Sequence, residues 1–201
     1  MRKGSWQTGV GFDLHGKTLG IVGLGRIGSR MAAFAKEMGM RVLAWSQNLT
    51  EQKAAAAGAT LIELDDLFRQ SDMITLHLVL SERTHHIITA RHISLMKPTA
   101  CFVNTSRGHL IDEEALVNAL REGRIRGAAL DVYQTEPLPV DHPLRSLENV
   151  VLTPHMGYVS EESYDRFFAQ VVENIEAYLD GLVPAAAMNP QVMGERVPRG
   201  N

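Results

Sequence analysis

Three residues have the types and the placement to do chemistry together. Arg107 follows Asn104-Thr105-Ser106, Glu136 follows Asp131-Val132-Tyr133-Gln134-Thr135, and His155 follows Thr153-Pro154. Each lies just past an apolar stretch that reads as a strand. Histidine titrates in the range that proton transfer near neutrality requires. The planar fork of arginine holds a carboxylate and polarises a carbonyl. A carboxylate beside a histidine fixes its ring. A hydride transfer to the carbonyl of an acidic substrate needs this combination. Taken singly, a loop arginine is more often a surface residue, and a histidine in Thr-Pro-His is more often structural. Their joint position at strand ends reverses that weighting.

A second set of residues is glycine. Thr18-Leu19-Gly20-Ile21-Val22 is a short apolar run, and Gly23-Leu24-Gly25-Arg26-Ile27-Gly28 follows it at once. Strand, tight turn and helix N-terminus are expected in that order. Gly23 suits the turn, Gly25 lets backbone approach a pyrophosphate, and Gly28 lets the helix pack closely on the strand. The free N–H groups and positive dipole end of the helix then face phosphate. Such a pattern holds the ribose 2′-hydroxyl with an acid some 20 residues on. Ser46 stands there instead, and no arginine neighbours it in the sequence. The choice between NAD and NADP stays open.

Elements must bring these residues together. Apolar runs at 17–22, 40–45, 73–78, 100–104, 127–131 and 150–152 read as strands. Segments at 26–38, 54–57, 64–68, 111–120 and 160–180 read as helices, with Thr50 and Ser160 as candidate caps. Residues 81–97 read as a turn-rich crossover. Strands alternating with helices imply an α/β, Rossmann-type doubly wound parallel sheet with helices on both faces. Ligands bind such sheets outside the carboxyl ends of the strands, where all three chemical residues fall. Residues 1–16 read as a lead-in holding Trp6 and Phe12, 17–180 as the dinucleotide-binding domain, and 181–201 as a C-terminal tail.

Bulk properties narrow the class. The chain has 201 residues, 45% of them hydrophobic, with a net charge of −3. It can bury a core without staples, and it carries no basic footprint for nucleic acid. No apolar run is long enough to span a membrane, and the N-terminus shows no signal peptide. The single cysteine, Cys101, precludes an internal disulfide and fits a reducing, cytoplasmic setting.

Several segments carry a specific likeness. Gly23–Gly28, Met96-Lys97-Pro98, Val103-Asn104-Thr105-Ser106-Arg107-Gly108, Ala129–Pro137 and Thr153-Pro154-His155-Met156-Gly157 appear in order. Together they resemble the D-isomer-specific 2-hydroxyacid dehydrogenase family over about residues 5–180. The resemblance implies an NAD(P)-dependent oxidoreductase that interconverts a 2-oxo acid and a D-2-hydroxy acid. It implies that Arg107 binds the substrate carboxylate and carbonyl, that His155 is the acid or base, and that Glu136 supports it. It places Arg26 and Ile27 at the pyrophosphate, Ser46 at the adenosine ribose and Leu78 on the adenine side. Thr105 and Ser106 line the cofactor, Asp131 meets the carboxamide end, and Gly157 lies near the nicotinamide. A homodimer built through this domain is also implied.

The chain departs from the family pattern in three ways. Ser46 replaces the usual acid, and Val79 replaces a frequent proline. Arg2-Lys3-Gly4-Ser5-Trp6 resembles the end of a helix linking two lobes, so the chain is expected to begin near that junction, as a fragment or a short form, without the first, substrate-facing lobe. This implies weak or absent turnover by the chain alone, with cofactor binding retained. The rival reading is a non-catalytic dinucleotide-binding module or dimer scaffold. The Arg107, Glu136, His155 set argues against that rival, because binding alone does not demand it. Other candidates read as structural: His85, His86 and His92 do not have metal-ligand spacing, and Cys101 suits packing. His77 is even between packing and the cofactor side.

Overall fold

The computed structural model describes residues 10–184. Trp6 and most of the C-terminal tail lie outside the described residues. The contacts divide the chain into two units between His155 and Met156.

The first unit is built on a seven-stranded sheet in the order β3-β2-β1-β4-β5-β6-β7. The strands are β1 (Thr18–Val22), β2 (Arg41–Trp45), β3 (Thr60–Leu61), β4 (Met73–Leu76), β5 (Cys101–Asn104), β6 (Gly127–Leu130) and β7 (Val150–Leu152). Every pairing is parallel. The order reverses direction between β1 and β4, so the crevice expected of a doubly wound sheet opens at the end of β1.

Side chains alternate across the sheet with period two, and the core divides accordingly. Leu19, Ile21, Val42 and Ala44 pack on one face with Ala32 and Ala35 of α1 (Arg26–Glu37). Val22, Leu43, Ile74, Leu76 and Phe102 pack on the other, with Leu67 and Phe68 of α3 (Leu64–Gln70). Gly20 and Ile21 show the two faces directly. A Cβ at Gly20 would strike Leu67 and Ser71, whereas Ile21 lies against Gly28 at the start of α1. Helices therefore cover both faces. Phe68, Phe102 and Ile74 are fully buried, each contributing about 1.5–3 kcal/mol.

Several elements differ from the sequence reading: α2 (Glu51–Ala56) starts before the expected 54–57, and β4 ends at Leu76 rather than Leu78. β3 has two residues, too few for an alternation to show. α4 (Ala90–Ser94) is a five-residue helix inside the expected crossover, before Lys97-Pro98. α5 (Glu113–Arg121) starts later than expected, because Asp112 is its cap rather than part of its first turn. The Asp112 carboxylate accepts from Ala115 N at 3.0 Å, satisfying a helix-end donor. Thr50 caps α2 (Glu51–Ala56) by accepting from Lys53 N at 3.3 Å. Phe12 of the lead-in holds Arg126 over its ring, 4.4 Å from the centroid.

The second unit contains α6 (Glu161–Leu179), capped by Ser160, which accepts from Ser163 N at 3.2 Å. None of its residues is buried, and Tyr164 stacks on Phe168. Among the described residues, no helix is long and apolar enough to cross a membrane.

Candidate active site

The register of the sheet sets the site. Trp45, Val22, Leu76, Asn104, Leu130 and Leu152 form one row across six strands. Each is the last residue of its strand, so Ser46, Gly23, His77, Thr105, Asp131 and Thr153 open their loops side by side. At about 4.8 Å per strand, the loops from β1 to β7 span roughly 19 Å.

At the β1 end, Gly23 has φ +105°, and a Cβ there would lie 2.6 Å from the His77 carbonyl. A Cβ on Gly28 would lie 2.2 Å from the Gly23 carbonyl oxygen, so α1 starts directly against the turn. Gly25 is the N-cap of α1, and a Cβ there would meet nothing within 4 Å. Gly25, Arg26 and Ile27 are exposed. No side chain caps this helix, and its first turn holds no acid. Its first N–H groups lack intrahelical acceptors, so the residues present fit an anionic diphosphate. The Ser46 hydroxyl accepts from Leu24 N at 2.8 Å and shapes the turn. Leu78 is half-buried against the core. His77 Nε2 lies 3.1 Å from Thr75 Oγ1, and burial pushes its imidazole pKa down.

At the β5 end, Asn104 is fully buried, and its side chain builds the next loop. Its Nδ2 donates to Arg107 O at 2.9 Å, and its Oδ1 accepts from Ser106 N at 3.0 Å. Ser106 Oγ donates to Leu76 O at 2.8 Å. Thr105 and Arg107 are left exposed, and one Arg107 nitrogen donates to Ser106 O at 2.6 Å. Gly108 lets this loop lie on the β6 loop, since a Cβ would come within 2.0 Å of the Tyr133 carbonyl carbon.

At the β6 and β7 ends, Glu136 Oε2 lies 2.7 Å from His155 Nδ1. Tyr133 N donates to the other carboxylate oxygen at 2.9 Å. Burial raises the Glu136 pKa, but the His155 hydrogen bond, the Tyr133 N–H and the charges of His155 and Arg107 outweigh it. The carboxyl is held below its ordinary range. The Tyr133 hydroxyl reaches Leu130 O at 3.0 Å and Thr153 O at 2.8 Å, tying the two loops together. Thr153 Oγ1 donates to buried Asp131 at 2.5 Å. His155 has φ +53°, a conformation uncommon outside glycine that costs about 1–3 kcal/mol. A cleft of about 690 Å³ opens beside the pair, lined in part by Leu138, Arg145, Leu152 and Pro154.

Thus the strand-end loops bring Arg107, Glu136 and His155 to one edge of the sheet, with Thr105, Ser106 and Asp131 beside them. Gly157 belongs to the second unit. Asn104, Gly108 and Tyr133 build this edge without being among the candidate site residues. An asparagine at a strand end before Thr-Ser was the available signal for Asn104. His85 and His86 stack at 4.3 Å, whereas His92 accepts from Thr89 N at the start of α4. Among the described residues, no cluster of His, Cys, Asp or Glu is arranged to hold a metal.

Comparison with known proteins gives a consistent picture. Residues 1–157 match the family model described as "D-isomer specific 2-hydroxyacid dehydrogenase, NAD binding domain". The chain is 42% identical over 204 residues to a glyoxylate reductase of Korarchaeum cryptofilum, covering 98% of this chain and 61% of that protein. It is 46% identical over 180 residues to a D-3-phosphoglycerate dehydrogenase of Synechocystis, covering 90% of this chain and 32% of that protein. A phosphoglycerate oxidoreductase structure from Vibrio cholerae superposes with a TM-score of 0.84 at 40% identity, covering 89% of this chain and 59% of that one. The chain therefore spans less than two thirds of the length of each of these relatives.

Proposed function

We propose, proceeding from the fact that this chain belongs to the D-isomer specific 2-hydroxyacid dehydrogenase family, that Arg107, Glu136 and His155 carry the reduction of a 2-oxo acid to a D-2-hydroxy acid. The observation that carries this reading is the Glu136–His155 pair at 2.7 Å, with Arg107 on the neighbouring strand-end loop. NAD or NADP, when bound, supplies or takes up the hydride.

The chain's own residues do the rest. The Glu136 carboxylate can only accept, so His155 donates through Nδ1, and Nε2 is the nitrogen that exchanges a proton with substrate. In reduction, Nε2–H passes its proton to the carbonyl oxygen; in oxidation, Nε2 takes it back. Arg107 keeps N–H groups beyond the one bound to Ser106, and these hold the substrate carboxylate. Gly23, Gly25, Arg26, Ile27 and Gly28 receive the pyrophosphate. Ser46 and Leu78 stand on the adenosine side, and Thr105, Ser106 and Asp131 on the nicotinamide side.

The same reading includes a homodimer in the cytoplasm. Phe34 in α1 and Met38 at its C-cap leave apolar side chains exposed, which supports pairing with a second copy. Sedimentation velocity of the chain reads this directly.

The test of the activity has two parts. Nicotinamide fluorescence follows titration of the chain with NADH and NADPH; binding is expected, and failure to bind either overturns the cofactor assignment. Glyoxylate, hydroxypyruvate or pyruvate is then added to this chain joined to the part of a glyoxylate reductase relative that it does not span. His155→Ala is expected to lower turnover by about 10²–10⁴ with little change in dinucleotide affinity. An active His155→Ala protein overturns the catalytic assignment.

A further inference from the structure

The end of β2 is where a doubly wound sheet tells the two nicotinamide dinucleotides apart. A carboxylate there accepts from a free ribose 2′-hydroxyl and repels a 2′-phosphate, whereas a nearby arginine accommodates the phosphate. In this chain the three residues after β2 are Ser46, Gln47 and Asn48, all neutral. The Ser46 hydroxyl accepts from Leu24 N, so it serves the glycine turn. Gln47 and Asn48 are exposed.

The fold brings in a cation that the linear sequence conceals. Gln47 Nε2 lies 3.4 Å from the backbone oxygen of Arg83, 36 residues away. The loop that carries Arg83 is firmly held. Thr84 is buried, its hydroxyl donates to Val79 O at 2.7 Å, and it accepts from Ser81 N at 2.8 Å. Backbone bonds from Thr84 N and His85 N to Ser81 O close the same turn. Arg83 itself is exposed, and among the described residues its side chain has no hydrogen bond or ion pair. Other charges on these two segments are Glu82, next to Arg83, and Glu51 and Lys53 in α2. Neither acid occupies the positions directly after β2.

We infer that this end of the site is built for the 2′-phosphate of NADP(H), with Arg83 as the cation that reads it and Gln47 and Asn48 as donors beside it. The inference rests on the reading of the glycine turn as a dinucleotide site. Arginine suits the task because its planar fork makes two charge-assisted bonds to one phosphate. The absence of a carboxylate after β2 removes the usual repulsion.

The experiment is a fluorescence titration of the whole chain with NADPH and NADH, with adenosine 2′,5′-bisphosphate and adenosine 5′-monophosphate as competitors. NADPH is expected to bind at least about tenfold tighter than NADH, and the bisphosphate to compete better than the monophosphate. Arg83→Ala is expected to bring the NADPH-to-NADH ratio within about threefold, and Arg83→Glu to invert it. An unchanged thermal midpoint shows that the fold of the variant is intact. Equal or tighter NADH binding by the unaltered chain overturns the inference, as does a ratio that Arg83→Ala leaves unchanged. A chain that binds neither dinucleotide removes the underlying site and this inference with it, an outcome distinct from the loss of preference alone.

Discussion

The two halves of the strand-end row are made differently. Around β1 and β2 the surface is backbone: Gly23, Gly25 and Gly28 clear space, and a helix terminus presents N–H groups. Around β5, β6 and β7 it is side chain upon side chain: Asn104 builds the Arg107 loop, Tyr133 ties two loops, and Glu136 holds His155. The first half suits a ligand whose recognised part is a repeated, charged phosphate. The second suits chemistry, where one proton must leave one nitrogen in one direction. The halves meet at β4, whose last residue pairs in register with both Val22 and Asn104.

The comparison breaks most visibly at two glycines. Alanine at Gly28 would put a Cβ 2.2 Å from the Gly23 oxygen, and alanine at Gly108 would put one 2.0 Å from the Tyr133 carbonyl carbon. Each is backbone against backbone, so each costs about 3 kcal/mol or more, read as a lower urea midpoint. The functional consequences should differ. Gly28→Ala parts the turn from the helix and abolishes dinucleotide binding. Gly108→Ala parts the Arg107 loop from the Glu136 loop, so turnover falls while dinucleotide binding survives. If both variants lost binding equally, the halves would not be separable.

Glu136→Gln is the next largest effect. It keeps the shape of the side chain but lets an amide face His155 Nδ1, so the ring is no longer held in one tautomer. Turnover should fall by about a hundredfold. The pH dependence sharpens the test. The Glu136 carboxyl is held below its ordinary range by His155, Tyr133 N–H and Arg107 against a burial penalty. Its stabilising contribution is therefore complete above the unfolded carboxyl value and is lost as pH falls through the lower folded value. An acid-side loss of stability should be present in the parent chain and diminished in Glu136→Gln, read by denaturant melts between pH 6 and pH 3.

How much of this the sequence disclosed follows the same division. The glycine half was legible because steric demands are local. A strand, three glycines and a helix lie within 20 residues, and each glycine has its own reason. The strand ends were also legible, so Arg107, Glu136 and His155 could be placed on one edge. Part of what holds them is local, as where Asn104 braces Arg107 and Tyr133 N–H braces Glu136, but the contacts that tie the loops to one another were not legible, because they join residues far apart in the chain. Tyr133 reaches Thr153, Gly108 lies on Tyr133, and Gln47 meets Arg83. Short elements escaped for another reason: β3 and α4 are too brief for a periodic pattern, and their neighbours hold them in place.

The smallest expected effects make the finest test, because they delete one oxygen from each half. Tyr133→Phe removes the hydroxyl shared by Leu130 O and Thr153 O. Leu130 O keeps its bond from Thr153 N, so the loss falls mainly on the Thr153 carbonyl, two residues before the strained backbone of His155. Ser46→Ala removes the acceptor for Leu24 N inside the glycine turn. Each deletion should cost about 1 kcal/mol, or roughly fivefold in the property its half controls. Tyr133→Phe should lower turnover and leave dinucleotide affinity in place, and Ser46→Ala should weaken dinucleotide affinity and leave the rate at saturation in place. The two changes lie on separate loops with no shared partner, so the double variant should show the sum of both. Coupling beyond about 0.5 kcal/mol would mean that the turn and the Glu136–His155 pair move as one body, and that the division into a backbone half and a side-chain half is a matter of composition only.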